Sequence, residues 1–412
     1  MTNLTPNCRS CAYEDLRTIL DLGKTPLANG LLEAVNLQQR EPCFPLLLAF
    51  CPKCSLVQIT ETVPPELLFQ NYLYFSSFSD TALNHAREIA LRMVAERGLE
   101  LTSRVIEIAS NDGYLLQYYK QAGIPVLGIE PAANIAKVAR EKLGIPTLNE
   151  FFGHALAKRL SEDGQKADVI HANNVLAHVP DLNGFVAGLC LILKDEGVVV
   201  IEVPYVKDMI DHVEFDTIYH EHLSYFSLSA LSPLFARHGL AVIDVERLPI
   251  HGGSLRVFVG HEKSQTQKSD RVERLLSEER EWGANTFGFY EQFGGSVQHL
   301  KSELLHMLRE LKSRGDRIAA YGCSAKGSTL LNYFGIGCET LDFVVDRSTA
   351  KQGLYTPGTH LSVLSPEKLL ERMPEYALLL TWNFADEIME QQAEYRRRGG
   401  HFIIPVPRPA VV

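Results

Sequence analysis

The sequence predicts an α/β protein: two open, doubly wound units behind a small cysteine-knuckle module. Three observations carry that prediction. Short apolar runs alternate with helical patterns from residue 104 to about 260, and again from about 313 onward. In each series the first run passes through a turn of small residues into a helix start, and the second run ends in an acid, Glu130 or Asp346. Of the eight cysteines, Cys8, Cys11, Cys43, Cys51 and Cys54 crowd the start of the chain.

The 412 residues are enough for two or three domains, each with its own core. An apolar content of 46% with 22% charged residues is that of an ordinary globular chain. A formal net charge of −10 without a long basic run argues against nucleic acid as the main partner, yet leaves room for a local phosphate pocket. The first residues show no basic stretch followed by an apolar one, and no run is long enough to span a bilayer. A cytoplasmic protein without membrane contact is therefore expected. The divisions expected are 1–70 for the cysteine module, 71–260 for the first α/β unit, 261–312 for a helical connector and 313–412 for the second α/β unit.

In the first segment, Cys8-x-x-Cys11 and Cys51-Pro-Lys-Cys54 supply four thiolates that can close a tetrahedron on Zn²⁺. Such a site has no open coordination position and is structural. Disulfides are the alternative, and a reducing compartment disfavours them. Cys43 is left over. Cys190, Cys323 and Cys338 sit in apolar settings and read as inert core cysteines.

The stretch Asn71–Ser79 is dense in aromatic and hydroxyl side chains, and Ser79 or Asp80 can cap a helix starting near Thr81. Two readings stand for Tyr72, Tyr74 and Phe75. They pack a join between domains, or the segment lies over a ligand and offers it a tyrosine.

Next come strands over Val105–Ile108, Val126–Ile129, Val169–Ala172, Val198–Glu202, Ala241–Glu246 and Leu255–Gly260. Helical patterns such as Ala132–Leu143 and Phe185–Leu193 lie between them. The turn after the first strand holds Ala109, Asn111, Asp112 and Gly113, with Glu107 just ahead of it. There a ligand can approach backbone N–H groups at a helix start, and Glu130, about 20 residues on, is placed for two ribose hydroxyls. A dinucleotide prefers G-x-G-x-x-G, and the side chains here would crowd a diphosphate. The E-x-A-x-N-x-G pattern resembles motif I of class I S-adenosylmethionine (SAM) methyltransferases, more often E/D-x-G-x-G-x-G. A turn without ligand is the plain alternative. Asn173, Asn174 and His178 follow the strand Val169–Ala172 at its cleft end, although spacing alone makes His178 a helix-surface histidine.

Phe215–Phe226 packs histidines, acids and tyrosines together. If Tyr219–His222 turns helically, Tyr219 and His222 share a face and His220 lies off it. That arrangement suits a tyrosine–histidine acid–base pair. A His-x-His metal site with Glu221 and a structural polar cluster are the other readings. The charged helical stretch from 261 reads as an arm without chemistry. Beyond it, Tyr321-Gly-Cys-Ser324-Ala-Lys326-Gly-Ser-Thr329 joins a strand to a helix. Its glycines, hydroxyls and lysine suit phosphate oxygens at a helix N-terminus, without being a P-loop. A purely structural turn is the alternative.

Taken together, the two cysteine knuckles, Tyr219-His-Glu-His222 and Tyr321–Gly327 resemble the sugar C-methyltransferases of deoxysugar pathways, over the whole chain. The resemblance implies a class I SAM methyltransferase Rossmann-like domain between a zinc module and a second Rossmann-like domain. It implies SAM as cofactor, a structural Zn²⁺, and a nucleotide-linked keto-sugar substrate held through Tyr321, Ser324 and Lys326. Glu107, Ala109, Asn111, Asp112, Gly113, Glu130 and Asn173 would face the cofactor. Tyr219, Glu221 and His222 would line the active site, with the histidine as base, joined by His178 and Tyr74. A monomer or weak homodimer is expected. An O- or N-methyltransferase on the same scaffold, or a non-catalytic nucleotide-sugar module, would share most of these features.

Overall fold

The computed structural model describes residues 7–69, 75–264 and 268–412. Three sheets organise them. The first is antiparallel, with strands in the order Arg17–Pro26, Cys43–Phe50, Val57–Ile59 and Ser224–Tyr225. Its last strand is lent by the middle of the chain.

The second sheet has seven strands in the order Leu240–Leu248, Ser254–His261, Leu193–Pro204, Ala167–Asn173, Val105–Ile108, Val126–Ile129 and Thr147–Leu148. From Leu193–Pro204 to Thr147–Leu148 every pair is parallel. The expected doubly wound sheet is there, with two differences. Thr147–Leu148 adds an edge strand too short to give a periodic signal. Ser254–His261 runs antiparallel to both neighbours. The turn from Leu248 to Ser254, with Gly253 at φ 126°, is too short for a crossover, so a hairpin results.

The third sheet runs Val363–Leu364, Val344–Val345, Ile318–Tyr321, Tyr376–Leu379, His401–Ile404 and Ala410–Val411, all parallel except the last pair. In both α/β sheets the strand that opens the unit lies centrally, so the turn after it emerges at the carboxyl edge where ligands bind.

The helix Asp80–Glu96 is capped by Ser79, whose Oγ accepts the Ala82 N–H at 3.2 Å, and it buries Ala86, Ile89, Ala90 and Met93. The arm after residue 261 does more than connect. Glu279 is buried and accepts bonds from Leu228 N, Ser229 N, Ser229 Oγ and Tyr205 OH at 2.6–2.9 Å. A carboxylate is thereby placed on the open N–H groups that start the helix Leu228–Ala236. The helix Phe293–Ser313 buries Val297, Leu300, Leu304, Leu308 and Leu311 in one core with Leu48 and Val57 of the first sheet and Val344 of the third. Further ties join those two sheets: Leu32 bridges Tyr355, and Glu41 accepts from His360 Nε2 at 2.7 Å.

Of the three later cysteines only Cys323 is buried; Cys190 is half-buried and Cys338 is exposed, its Sγ facing the Thr359 carbonyl at 3.4 Å. The apolar setting of Cys338 in sequence does not become a core position, because it lies in the turn between a helix and the next strand. Among the described residues no helix is long and apolar enough to cross a membrane.

Candidate active site

The four knuckle cysteines converge. The Sγ atoms of Cys8, Cys11, Cys51 and Cys54 all lie within 4.8 Å of one another, with 3.5 Å between Cys8 and Cys54 and between Cys11 and Cys51. Sulfurs about 2.3 Å from a tetrahedral zinc would stand roughly 3.8 Å apart, so the cluster has the size of such a site. Two matched knuckles hold it. Cys8 O accepts from Ala12 N and Cys51 O from Ser55 N, both at 2.9 Å, and Ala12 and Ser55 take left-handed φ values of 59° and 61°.

A cavity of about 520 Å³ opens where all three sheets meet. One wall is the turn after Val105–Ile108. Ala109, Asn111 and Gly113 have φ values of 54°, 49° and 85°, so two non-glycine residues hold the bend that glycines usually hold. Glu130 accepts the backbone N–H of Asn111 at 3.0 Å and of Ala132 at 2.8 Å. Burial raises its pKa, and the two N–H groups oppose that shift. Ala109, Asn111, Glu130 and Asn173 line the cavity, and Asn173 Oδ1 is buried there without a hydrogen-bond partner among the described residues. An orphaned acceptor and an acid-ended strand around a space of this size fit an adenosyl cofactor.

Glu107, Asp112 and Gly113, expected on the same wall, stand behind the turn instead. Glu107 is buried with its pKa pushed well up, chiefly by desolvation and then by Asp112 and Glu130. Asp112 accepts from Ser77 Oγ, and Ser76 N donates to Asn111 Oδ1 at 3.0 Å. The segment ahead of Asp80–Glu96 thus lies over the turn. Tyr72 and Tyr74 fall outside the described residues.

The facing wall is the Tyr219–His222 turn, closed by His222 N donating to Tyr219 O at 2.9 Å. His222 Nδ1 lies 2.9 Å from the Thr217 carbonyl, which can only accept, so Nδ1 carries the proton. Nε2 is then the basic nitrogen, and the Tyr219 hydroxyl sits 2.9 Å from it. His220 points away, 3.1 Å from the Pro45 carbonyl and 1% exposed. A His-x-His metal site is therefore not formed.

His178 is no helix-surface residue. It ends a single 3-10 turn, Leu176–His178, and its ring centroid is 4.8 Å from that of His222 on the cavity wall. Burial pushes its pKa down to about 4, keeping it neutral. Glu221 accepts from Asn29 Nδ2 at 2.6 Å, and burial raises its pKa to about 7.

The third sheet supplies the floor. Ser324 caps the helix Ala325–Phe334 by accepting Gly327 N at 3.0 Å, and Lys326 Nζ lies 3.6 Å from Glu214 Oε2 and 4.7 Å above the Trp382 ring. Both line the cavity, as do Asp346 and Lys351. Tyr321 does not. It packs with Phe343 and Tyr395 on the other side of its sheet, since a strand sends successive side chains to opposite faces. Four wall residues went unseen in the sequence: Asn29, Lys351, and the pair His85–Glu202, 2.8 Å apart.

Three family models match in register with this architecture: "Putative zinc binding domain" over residues 8–69, "Methyltransferase domain" over 81–245 and "C-methyltransferase C-terminal domain" over 249–407. Solved structures of two methyltransferases are similar to part of the chain. One is a magnesium protoporphyrin IX methyltransferase from Synechocystis PCC 6803 with bound SAM, 13% identical over 43% of this chain and 78% of that one, with a TM-score of 0.33. The other is a SAM-dependent methyltransferase from Clostridium acetobutylicum, 11% identical over 43% and 92%, with a TM-score of 0.36. A ubiquinone biosynthesis O-methyltransferase from Bartonella quintana is 28% identical over 24% of this chain and 40% of that protein.

Sheet order, cofactor turn and matched models together define a class I SAM-dependent methyltransferase. The relative that narrows this is the C-methyltransferase NovU of Streptomyces niveus, 34% identical over 98% of this chain and 96% of that protein. The chain belongs to that family of C-methyltransferases.

Proposed function

We propose that this enzyme methylates a ring carbon next to the ketone of a nucleotide-linked keto-deoxysugar, in the cytoplasm, as a monomer or weak homodimer with Zn²⁺ on its four knuckle cysteines. The observation that carries the reading is the Tyr219–His222 pair, 2.9 Å apart and on one cavity with both the cofactor turn and Lys326. A sugar carbon becomes nucleophilic only when its C–H proton leaves, and an adjacent ketone lowers that cost by taking the charge as an enolate. His222 Nε2, fixed as the unprotonated nitrogen, accepts the proton. Tyr219 holds that nitrogen until substrate arrives; once the substrate C–H takes its place at Nε2, the freed hydroxyl donates to the enolate oxygen. His178, held neutral beside it, adds no competing positive charge. Lys326, Lys351 and the start of the helix Ala325–Phe334 offer positive charge and N–H groups to a diphosphate. SAM, when bound, supplies a methyl group already activated by its sulfonium. Cys8, Cys11, Cys51 and Cys54 would hold the zinc, with no ligand position left for substrate.

The test is proton exchange. Nucleotide-linked 4-keto sugars are incubated with the enzyme and S-adenosylhomocysteine in deuterated water, and ring C–H signals are followed by NMR. One carbon should exchange, and His222→Asn should slow exchange at least a hundredfold, within the general-base range of 10²–10⁴, with SAM affinity unchanged. Undiminished exchange in that variant would remove His222 as base. Methylation without any C–H exchange would favour an O- or N-acceptor.

A further inference from the structure

We propose that Asn29, carried by the cysteine-knuckle module, is a positioning residue for Glu221, so that the metal module takes part in organising the active site. The inference rests on the reading above that Glu221 works at the substrate. The contact is direct: Asn29 Nδ2 donates to Glu221 Oε1 at 2.6 Å, between residues 192 positions apart. Both line the cavity. Glu221 is 4% exposed, so few other donors can replace this one.

The loop that carries Asn29 is anchored on both sides. Gly30 N donates to Leu27 O and Leu31 N to Asn29 O, each at 2.9 Å, closing a tight turn. Leu32 then exchanges two backbone bonds of 2.9 Å with Tyr355, in the loop between Val344–Val345 and Val363–Leu364 of the third sheet. A surface loop serving only to join Arg17–Pro26 to Cys43–Phe50 would not need to be pinned against another domain. Pinned there, its amide is aimed at one carboxylate.

The chemistry of the donor explains its type. Glu221 is surrounded by Lys351 from the third sheet's unit, by the His178 side chain against its backbone, and by His220 and His222 beside it in sequence. A second cation in place of Asn29 would hold the carboxylate ionised throughout. An apolar side chain would leave Lys351 alone to oppose burial and would favour the protonated group. A neutral N–H donor orients one oxygen while Glu221 stays able to gain or lose a proton near neutrality.

The test uses the full-length zinc-loaded protein as wild type, Asn29→Ala, Asn29→Asp and Glu221→Gln. Zinc content and SAM affinity are measured first and should match wild type. The carboxyl infrared band of Glu221, isolated by difference against Glu221→Gln, then gives its titration directly. In Asn29→Ala that titration should move upward by about one pH unit, and kcat should fall roughly tenfold, the equivalent of one such unit, with KM nearly unchanged. Asn29→Asp, which preserves shape, should lose more and recover part of its rate as pH falls, because two acids cannot both ionise at hydrogen-bond distance. Should Asn29→Ala lose its zinc, the same-shape Asp variant decides alone. An unmoved Glu221 titration with wild-type kcat in either zinc-loaded variant overturns the proposal. Full activity in Glu221→Gln instead overturns the role of Glu221, while the infrared band still reads whether Asn29 holds its carboxylate.

Discussion

The two α/β units repeat one local plan and fill it with opposite charge. In each, a central strand runs into a turn, and the acid ending the next strand accepts a backbone N–H from that turn. Glu130 takes Asn111 N at 3.0 Å, and Asp346 takes Cys323 N at 2.7 Å. Around the first turn stand Glu107, Asp112 and Glu130; after burial, the charges of Asp112 and Glu130 raise the pKa of Glu107, and that of Asp112 raises the pKa of Glu130. Around the second stand Lys351, 4.0 Å from Asp346 and bonded to Cys323 O at 2.7 Å, and Lys326 at the helix start. On the proposed reading the acidic crevice receives a sulfonium, a cation, and the basic one a diphosphate. The comparison teaches that the backbone frame fixes where a ligand lies, while a few side chains at its rim choose the ligand's charge.

That contrast can be broken at three strengths. Glu130→Ala removes the carboxylate proposed to take two ribose hydroxyls, and at about 1.5–3 kcal/mol for each charged bond SAM affinity should fall at least a hundredfold. Calorimetric titration with S-adenosylhomocysteine measures this, and a Kd within threefold of wild type would deny the crevice its role. Lys326→Met should raise the KM for a nucleotide-linked substrate about tenfold, the effect of a partly screened charge pair, with SAM binding untouched. If SAM binding moved and KM did not, the division of labour would be reversed.

The smallest effect concerns pH. Burial raises the pKa of Glu214, beside Lys326, to about 8, against the opposing pull of Lys326 itself. Below that pH Glu214 is neutral and leaves the lysine's charge to the substrate. Above it the carboxylate competes. KM should therefore climb, by less than about tenfold, as pH passes from 7 to 9, and Glu214→Gln should flatten the climb. A KM that falls with pH in the wild type would contradict the arrangement.

Local features were legible before the fold was. The strand–turn–helix at Arg104–Leu116 and the shared face of Tyr219 and His222 follow from spacings of a few residues, where the backbone leaves little choice. The C-x-x-C pairs were legible because thiolates at that spacing have few other uses. Asn29 was not, since Asn-Gly reads as a turn whatever it faces, and its partner is supplied by the meeting of domains. Lys351 and the pair His85–Glu202 hide for the same reason. His178 misled because its segment makes one 3-10 turn and stops, tied by Leu223 N to Ala177 O at 2.8 Å. Tyr321 misled by parity: one position along a strand exchanges cavity for core.

The strand Ser224–Tyr225 has a consequence for how the chain is made. It completes the first sheet by pairing with Val57–Ile59, whose three residues are fully buried in the finished protein. A ribosome delivers the edge long before it delivers the partner. Through that interval the nascent module carries an open apolar edge, the kind that recruits strands from neighbouring chains. The strand that closes it follows His222 almost at once in sequence. Closure of the nascent edge and placement of the Tyr219–His222 turn thus await the same stretch of chain, and a chain truncated before it would keep the edge open.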